Sequence, residues 1–167
     1  HTAAKSSPLL ELFRKKGVEV LLLSERVDEW LMSHLSEFEG KKFQTISQGE
    51  VDLGKMDDEE TKEMKKKHEK SFKDVVESIK KSLGERVDDV RITHRLTDSP
   101  ACVVFPENAM SGHMQRIMQA AGQAAPQTKP ILELNPDHKI LQHLKDHKEE
   151  SVVTQWADLL LGQALLA

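Results

Sequence analysis

The residue types most capable of chemistry in this sequence are eight histidines and a single cysteine. His143 and His147 stand four residues apart with Asp146 between them, a spacing that would place two imidazoles on one helix face, as in zinc sites. No carboxylate stands at the spacing of a metalloprotease helix, and Lys145 and Lys148 crowd the same turn. We therefore interpret these histidines as solvated surface residues, with a metal site as the alternative.

Cys102 lies in the apolar run 101–105, where a buried structural thiol is expected rather than a nucleophile. The sequence contains neither a glycine-rich phosphate loop nor a nucleophile elbow. We therefore expect no catalytic residue, no bound cofactor and no metal ion. The sequence indicates a protein for binding and self-association rather than an enzyme.

The charge and hydropathy of the sequence argue against nucleic acid and membranes as binding partners. The net charge of −4 gives no global attraction to nucleic acid or to anionic membranes, and acidic neighbours balance the lysine run 65–67. No apolar run approaches the roughly 20 residues that cross a bilayer. We expect a cytoplasmic protein that binds neither nucleic acid nor membrane.

The first third of the chain alternates helical and strand-like segments. Ser7 and Pro8 predict a helix start, and Gly17 predicts its end. The apolar run 18–23 and the segment 43–46 predict two strands. Between them, a helix capped by Ser24 has one apolar stripe, which we expect to pack on an α/β unit: Val27, Trp30, Leu31, Leu35 and Phe38. This helix-strand-helix-strand order predicts parallel strands, and because two short strands are not a stable sheet, we expect further strands upstream.

The remainder predicts an α+β domain joined by a long helix over 55–83, with the domain boundary near Gly54. The apolar stripe of this helix lies in its second half: Phe72, Val75, Val76, Ile79 and Leu83. Strict alternation over 89–96 predicts a strand with one solvated face, and 101–105 and 131–134 predict two more in a small antiparallel sheet. Asn135 precedes another helix, and a last helix runs from about Glu150 to Ala167.

Two apolar helices could carry function. The segment 107–122 has Met110, Met114, Ile117, Met118 and Ala121 on one stripe. The ordinary interpretation is an amphipathic helix lying on the sheet, but methionine-rich faces are typical of surfaces that adapt to many partners. The last helix is apolar on almost all sides, so it is either central in a core or shared between chains.

Segments spread over the whole chain resemble the bacterial HtpG members of the ninety-kilodalton heat-shock chaperone family. They are 5–12, 14–21, 28–30, 84–87, 93–101, 133–138 and 158–166, and include Thr93-His94-Arg95-Leu96-Thr97-Asp98-Ser99-Pro100-Ala101. The resemblance implies the end of an α/β middle domain over 1–54 and most of a C-terminal dimerisation domain over 55–167. It also implies that the domain that binds ATP and magnesium, and a second dimerisation helix, lie outside this sequence.

The resemblance further implies roles for individual residues. Unfolded or partly folded client proteins would contact Glu29, Trp30, Ser33, Met110, Met114, Ile117 and Met118. A homodimer would form through Trp156, Leu159, Leu160, Gln163, Ala164 and Leu166. Ser33 departs from the asparagine usual in the bacterial form, and Ile117 and Met118 replace a leucine-phenylalanine pair while keeping its apolar character. A co-chaperone is a further implied partner. The alternative is a purely structural self-association module without a client-binding role.

Overall fold

The computed structural model describes residues 2–23, 25–49, 59–107, 109–110, 118, 120–122, 128–146 and 149–167. The predicted domain boundary near Gly54 and most of the predicted methionine-rich helix lie outside these residues. Within them, the protein combines helices with small sheets, and the predicted α+β class is confirmed. None of the described helices is long and apolar enough to cross a lipid bilayer.

The N-terminal segment folds as the turn chemistry of its sequence predicts. A short helix α1 (Thr2–Lys5) precedes a 3₁₀ turn (Pro8–Leu10) that continues into α2 (Glu11–Lys16). The Ser7 hydroxyl accepts a hydrogen bond from the Leu9 N–H at 3.4 Å, which supports the start of the 3₁₀ turn. Gly17 ends α2 with φ of +67°, a conformation that costs glycine least. Within this segment, the side chains of Leu10 and Phe13 are buried.

The predicted parallel strands of the first third are wrong. Residues 18–23 and 43–46 form no strand; helix α3 (Arg26–His34) is instead followed by an antiparallel hairpin of β1 (Glu37–Phe38) and β2 (Lys41–Lys42). A parallel strand needs neighbours that satisfy its backbone and cover both its faces, and the described residues supply none for 18–23. Leu21 and Leu23 consequently remain 68% and 49% exposed.

Helix α4 (Glu59–Leu83) carries the central part of the core. Phe72, Ile79 and Leu83 are no more than 2% exposed, whereas Met64 in the first half is 46% exposed. The division into a solvated first half and a core-facing second half, predicted from the apolar periodicity, is therefore confirmed for the described side chains. Gly84, with φ of +55°, starts a 3₁₀ turn (Gly84–Arg86) that leads into the sheet.

The main sheet contains β3 (Asp89–Ile92), β4 (Ala101–Val104) and β5 (Ile131–Leu134) in the order β3-β5-β4. The strands predicted at 101–105 and 131–134 are confirmed to within one residue, whereas the strand predicted over 89–96 ends at Ile92. The sheet is mixed rather than purely antiparallel, since β5 pairs in parallel with β3 and antiparallel with β4. β3 and β4 are not neighbours, so the turn at 97–100 is not a hairpin. The chain instead returns much later to place β5 between them.

Two helices complete the core on one face of this sheet. These are α5 (Lys139–Asp146) and α6 (Glu150–Leu166), whose buried residues include Leu141, Leu144 and Leu160. They meet the α4 stripe and the sheet residues Val90, Ala101, Leu132 and Leu134 in one cluster. Asn135 is 1% exposed and forms a turn ahead of α5, since its Oδ1 accepts the Asp137 N–H at 3.0 Å.

Candidate functional site

Helix α3 presents an apolar face to solvent. Val27, Trp30 and Leu31 are 59%, 65% and 43% exposed, and we call them the α3 face. The prediction that this stripe packs on an α/β unit is therefore wrong in the described structure. Because an exposed run of large apolar side chains on one helix is a typical site of protein contact, the α3 face is a candidate binding surface.

Local contacts hold α3 in shape beneath this face. The Glu25 N–H donates to Asp28 Oδ2 at 2.7 Å, which stabilises the first turn. The Trp30 and His34 rings are 4.7 Å apart, and His34 Nδ1 lies 2.9 Å from the Trp30 carbonyl. Trp30 is thus oriented by a neighbour one turn away while most of its surface stays exposed. The side chains of Glu29 and Ser33, the other predicted client contacts on α3, lie outside the described part.

A buried ion cluster attaches the segment 46–49 to the main sheet. Glu133 is 2% exposed and contacts Arg91 Nη2 at 2.7 Å and Arg95 Nε at 2.8 Å. Arg95 Nη1 also donates to the Ile46 carbonyl at 2.9 Å, and Arg95 Nη2 to the Gly49 carbonyl at 3.0 Å. The arginines therefore neutralise Glu133 and also bind backbone carbonyls of the segment.

This cluster corrects the prediction of a solvated face on β3. Thr93 and Arg95 belong to the supposedly solvated set, yet they are 8% and 6% exposed. The segment 46–49 contacts Arg95 and also pairs with Phe105, whose carbonyl accepts the Gly49 N–H at 2.9 Å. The alternation over 89–96 therefore separates an apolar side, with Val90 in the core, from an ionic side, where Arg91 and Arg95 contact Glu133.

A second attachment joins α2 to the loop after β3. One carboxylate, that of Glu11, accepts the backbone N–H groups of Thr97 at 2.6 Å and Asp98 at 2.9 Å. It also accepts the Ser99 hydroxyl at 2.5 Å. Burial alone would raise the pKa of Glu11, but the hydrogen bonds from Ser99, Asp98 and Thr97 outweigh it and lower the pKa. The two attachments therefore hold α2 to the loop at 97–99 and the segment 46–49 to the main sheet.

The predicted dimer helix α6 has two apolar sides. Leu160 and Ala164 are 0% and 4% exposed within the core, and Trp156 packs partly buried against it. Leu159 and Leu166 face outward at 56% and 90% exposure, and Gln163 is also exposed. The two interpretations of this helix, core element or shared surface, therefore apply to opposite sides. The proposed interface set spans both.

The predicted methionine surface is only partly described. Met110 and Met118 are half-buried, and Met118 is helical; Met114 and Ile117 lie outside the described residues. Gln48 Nε2 donates to the Ala109 carbonyl at 3.0 Å, so the segment 46–49 also contacts the start of this region. The role predicted for these methionines stays a prediction.

The cysteine and the histidines that could carry chemistry differ in their exposure. Cys102 is 2% exposed, and burial first, then the charge of Glu133, raises its pKa, consistent with the predicted structural thiol. His143 is exposed on α5, and His147 lies outside the described part. The sequence reasoning missed a cluster of His68, His94 and Asp137, because these residues are far apart along the chain and no spacing pattern links them.

These features define a class: an α+β protein with an apolar core that displays large apolar side chains on α3 and on the outer side of α6. A family model for the Hsp90 protein matches residues 1–167, and the chain belongs to the Hsp90 family. The chaperone protein HtpG of Pseudoalteromonas translucida (strain TAC 125) is 59% identical over 166 residues, covering 99% of this chain. The chaperone protein HtpG of Coxiella burnetii (strain RSA 331 / Henzerling II) is 56% identical over 167 residues, covering 100% of it.

The predicted resemblance to bacterial HtpG is thereby confirmed. The chaperone protein HtpG of Nitrosococcus oceani is 55% identical over 165 residues, covering 99% of this chain. In all three relatives the matched part is 26% of the relative's own length, so the chain spans about a quarter of these chaperones. Activities of a whole chaperone therefore come to this chain only as proposals.

Proposed function

We propose that residues 1–167 serve an HtpG-type chaperone by binding unfolded or partly folded client proteins through the α3 face. The observation that carries the proposal is the exposure of Val27, Trp30 and Leu31 together on one helix. Unfolded clients expose aliphatic and aromatic side chains, and such surfaces associate by removing apolar area from water. The 55–59% identity to proteins named as chaperones supports the assignment.

The structure suggests how the α3 face could bind many sequences. Burying most of a large apolar side chain gives about 1.5–3 kcal/mol, and three such side chains reach only moderate affinity after association costs. Weak, shape-tolerant binding is what a chaperone needs, because a client must also be released. The methionines Met110, Met114 and Met118, with Ile117, would add a second apolar surface with flexible side chains. Glu29 and Ser33 would add polar contacts beside Trp30.

The outer side of α6 supports the second part of the proposal, homodimerisation. Leu159 and Leu166 expose apolar surface beside Gln163, while the inner side of α6 is closed in the core. An isologous contact would bring the outer sides of two copies together without disturbing either core. ATP and magnesium would be bound by other parts of the chaperone, and we propose no cofactor, no catalytic group and a cytoplasmic location for this part.

The test of client binding compares matched surface variants. In an assay that measures light scattering by an aggregating model client, V27S/W30S/L31S should lose most of the aggregation suppression shown by the unchanged chain. The control is Met64→Ser, which replaces an exposed apolar residue on α4. Circular dichroism and urea unfolding check that both variants fold. Equal suppression by the triple variant and the unchanged chain would exclude the α3 face as the client site.

A purely structural self-association module is the second candidate, favoured by the exposed outer side of α6. Under that hypothesis, substitutions on the α3 face would leave client aggregation unchanged, and the mass measured by light scattering would still show a dimer. The two measurements together separate client binding from self-association. A monomer at all accessible concentrations that still suppresses aggregation would support client binding alone.

A further inference from the structure

Three separate elements bring two imidazoles and a carboxylate together beside the core. His68 lies on α4, His94 follows β3, and Asp137 lies in the turn before α5. One potential ligand atom from each lies within 4.8 Å of the other two. The contact between His68 Nε2 and Asp137 Oδ1 measures 3.9 Å. These distances are independent of the α3 face and of the proposed function.

The ligand types and spacing suit a divalent transition metal. Zinc binds imidazole nitrogen at about 2.0–2.1 Å and carboxylate oxygen at about 2.0–2.2 Å, which places tetrahedral ligand atoms roughly 3.4 Å apart. Small side-chain adjustments would close the present separations to that value. Two histidines and one carboxylate, with the remaining position open to water, form a donor set used for zinc, cobalt, nickel or iron. A hard cation such as magnesium would prefer more oxygen ligands.

The surroundings hold the three side chains in place. The His68 and His94 rings stack with centroids 5.3 Å apart, and His68 meets Phe72 edge-on at 6.3 Å. The Asp137 backbone is fixed by the buried Asn135, whose Nδ2 donates to the Ser99 carbonyl at 3.0 Å. The ring contacts and the turn at Asn135 thus limit how far the three side chains can move.

The cluster has both a shielded and an open side. His68 Nδ1 is buried and has no hydrogen-bond partner among the described residues, so that side of the ring has no hydrogen bond to rearrange when a metal binds. The Asp137 side chain is 65% exposed, while that of His68 is 18% exposed. A metal ion could therefore enter from the solvent at Asp137 and be retained by the less accessible imidazoles.

We infer that His68, His94 and Asp137 form a binding site for one divalent transition-metal ion, with zinc as the best-matched ion. The bound ion would connect α4, the end of β3 and the start of α5. It would stabilise the folded protein because the three ligands are held together only in that state. In this site the ion would fasten α4 to the sheet, with water as its fourth ligand.

The test uses tag-free chain stripped of metal by a chelator and titrated with cobalt, whose visible absorption reports its ligand geometry. The expected result is one equivalent bound with the strong absorption of a four-coordinate site, its displacement by zinc, and a rise in melting temperature that a chelator reverses. Asp137→Asn and His68→Ala should each weaken binding by at least about tenfold, since even losses outside the ligand set often cost that much.

The matched control is His143→Ala, which removes an exposed histidine from α5, the helix that begins just after Asp137. It should bind cobalt as the unchanged chain does. Asp137→Asn keeps the test decisive if His68→Ala folds poorly, because the Asp137 side chain is mostly exposed. Absence of binding at micromolar metal, or stoichiometric binding that neither ligand substitution weakens, would overturn the site.

Discussion

Two segments with similar apolar residues differ strongly in solvent exposure in this molecule. Leu132 and Leu134 in β5 are 0% exposed, whereas Leu21 and Leu23 in the run 18–23 are 68% and 49% exposed. Both runs are apolar enough to suggest a strand. β5 has a strand on each side and helices over one face, while 18–23 has neither among the described residues. Partner surfaces, rather than apolar content, therefore decide which run becomes a core strand.

The same contrast separates folding surfaces from binding surfaces. The core residues of α4, α5 and α6 pack within the chain, so their apolar area supports stability. The α3 face and the outer side of α6 expose comparable side chains, so their area is available to other molecules. Substitutions in the core should therefore lower the free energy of unfolding, whereas substitutions on the exposed faces should weaken binding to other molecules.

The largest expected effect concerns the ionic cluster that covers the second face of the sheet. Glu133→Ala leaves the buried Arg95 and the partly exposed Arg91 without their anion, and loss of one partner from a buried ion pair costs about 3–5 kcal/mol. Urea unfolding should show this loss. Cys102, whose Sγ lies 3.7 Å from Glu133 Oε2, should also react faster with a thiol reagent. An unchanged free energy of unfolding and an unchanged rate of thiol reaction would mean that Glu133 does not stabilise the fold by pairing with the two arginines.

A somewhat smaller effect tests the comparison of the two apolar runs directly. Leu132→Ala should lower the free energy of unfolding by about 2–5 kcal/mol, because it opens a cavity in a fully packed site. Leu21→Ala should change it by less than about 0.5 kcal/mol. Urea denaturation measures both. Similar losses for the two variants would show that the run 18–23 is buried in solution, contrary to its exposure here.

The parts of this fold that could be predicted are those determined by nearby residues. Ser7, Pro8 and Gly17 define the limits of the first helical segment through local hydrogen bonding and backbone freedom. Helical periodicity alone predicts which apolar residues of α4 are buried. The strand segments of the main sheet are predictable, but their order is not, because the alternation of β3 cannot reveal that β5 pairs beside it.

The parts that could not be predicted depend on long-range partners. Arg95 occupies an apparently solvated position, and only the folded chain brings Glu133 and the segment 46–49 over it. His68 and Asp137 are 69 residues apart in the numbering and meet through packing. The exposure of Trp30 could not be predicted from helical periodicity either, since an apolar stripe on a helix does not show whether another element covers it. The resemblance to the chaperone family supplied that expectation instead.

A moderate, pH-dependent effect is expected at Glu11, which joins the N-terminal segment to the loop at 97–99. Glu11→Gln should cost about 1–2 kcal/mol at neutral pH, because hydrogen bonds to a charged acceptor are stronger than those to an amide. The pKa of Glu11 in the folded state lies below its ordinary value of 4.5, so its carboxylate stabilises the fold above that pH. This contribution is lost as the pH falls through the folded-state pKa.

The measurement for Glu11 is urea unfolding of the unchanged chain and of Glu11→Gln from neutral to acidic pH. The difference between them should be constant above about pH 5 and shrink below about pH 4.5. Glu85→Gln is the control, since the Glu85 side chain is 98% exposed. A difference that grows on acidification would contradict the lowered pKa.

The smallest effect on stability is expected on the outer side of α6, where the adjacent residues Leu159 and Leu160 face opposite ways. Leu159→Ser should change the free energy of unfolding of the monomer by less than about 0.5 kcal/mol, whereas Leu160→Ser should cost several times as much. If the outer side mediates dimerisation, Leu159→Ser should also lower the mass measured by light scattering. Leu160→Ser would affect association only through unfolding, so a variant of Leu159 that is stable yet monomeric would identify this side of α6 as contact surface rather than core.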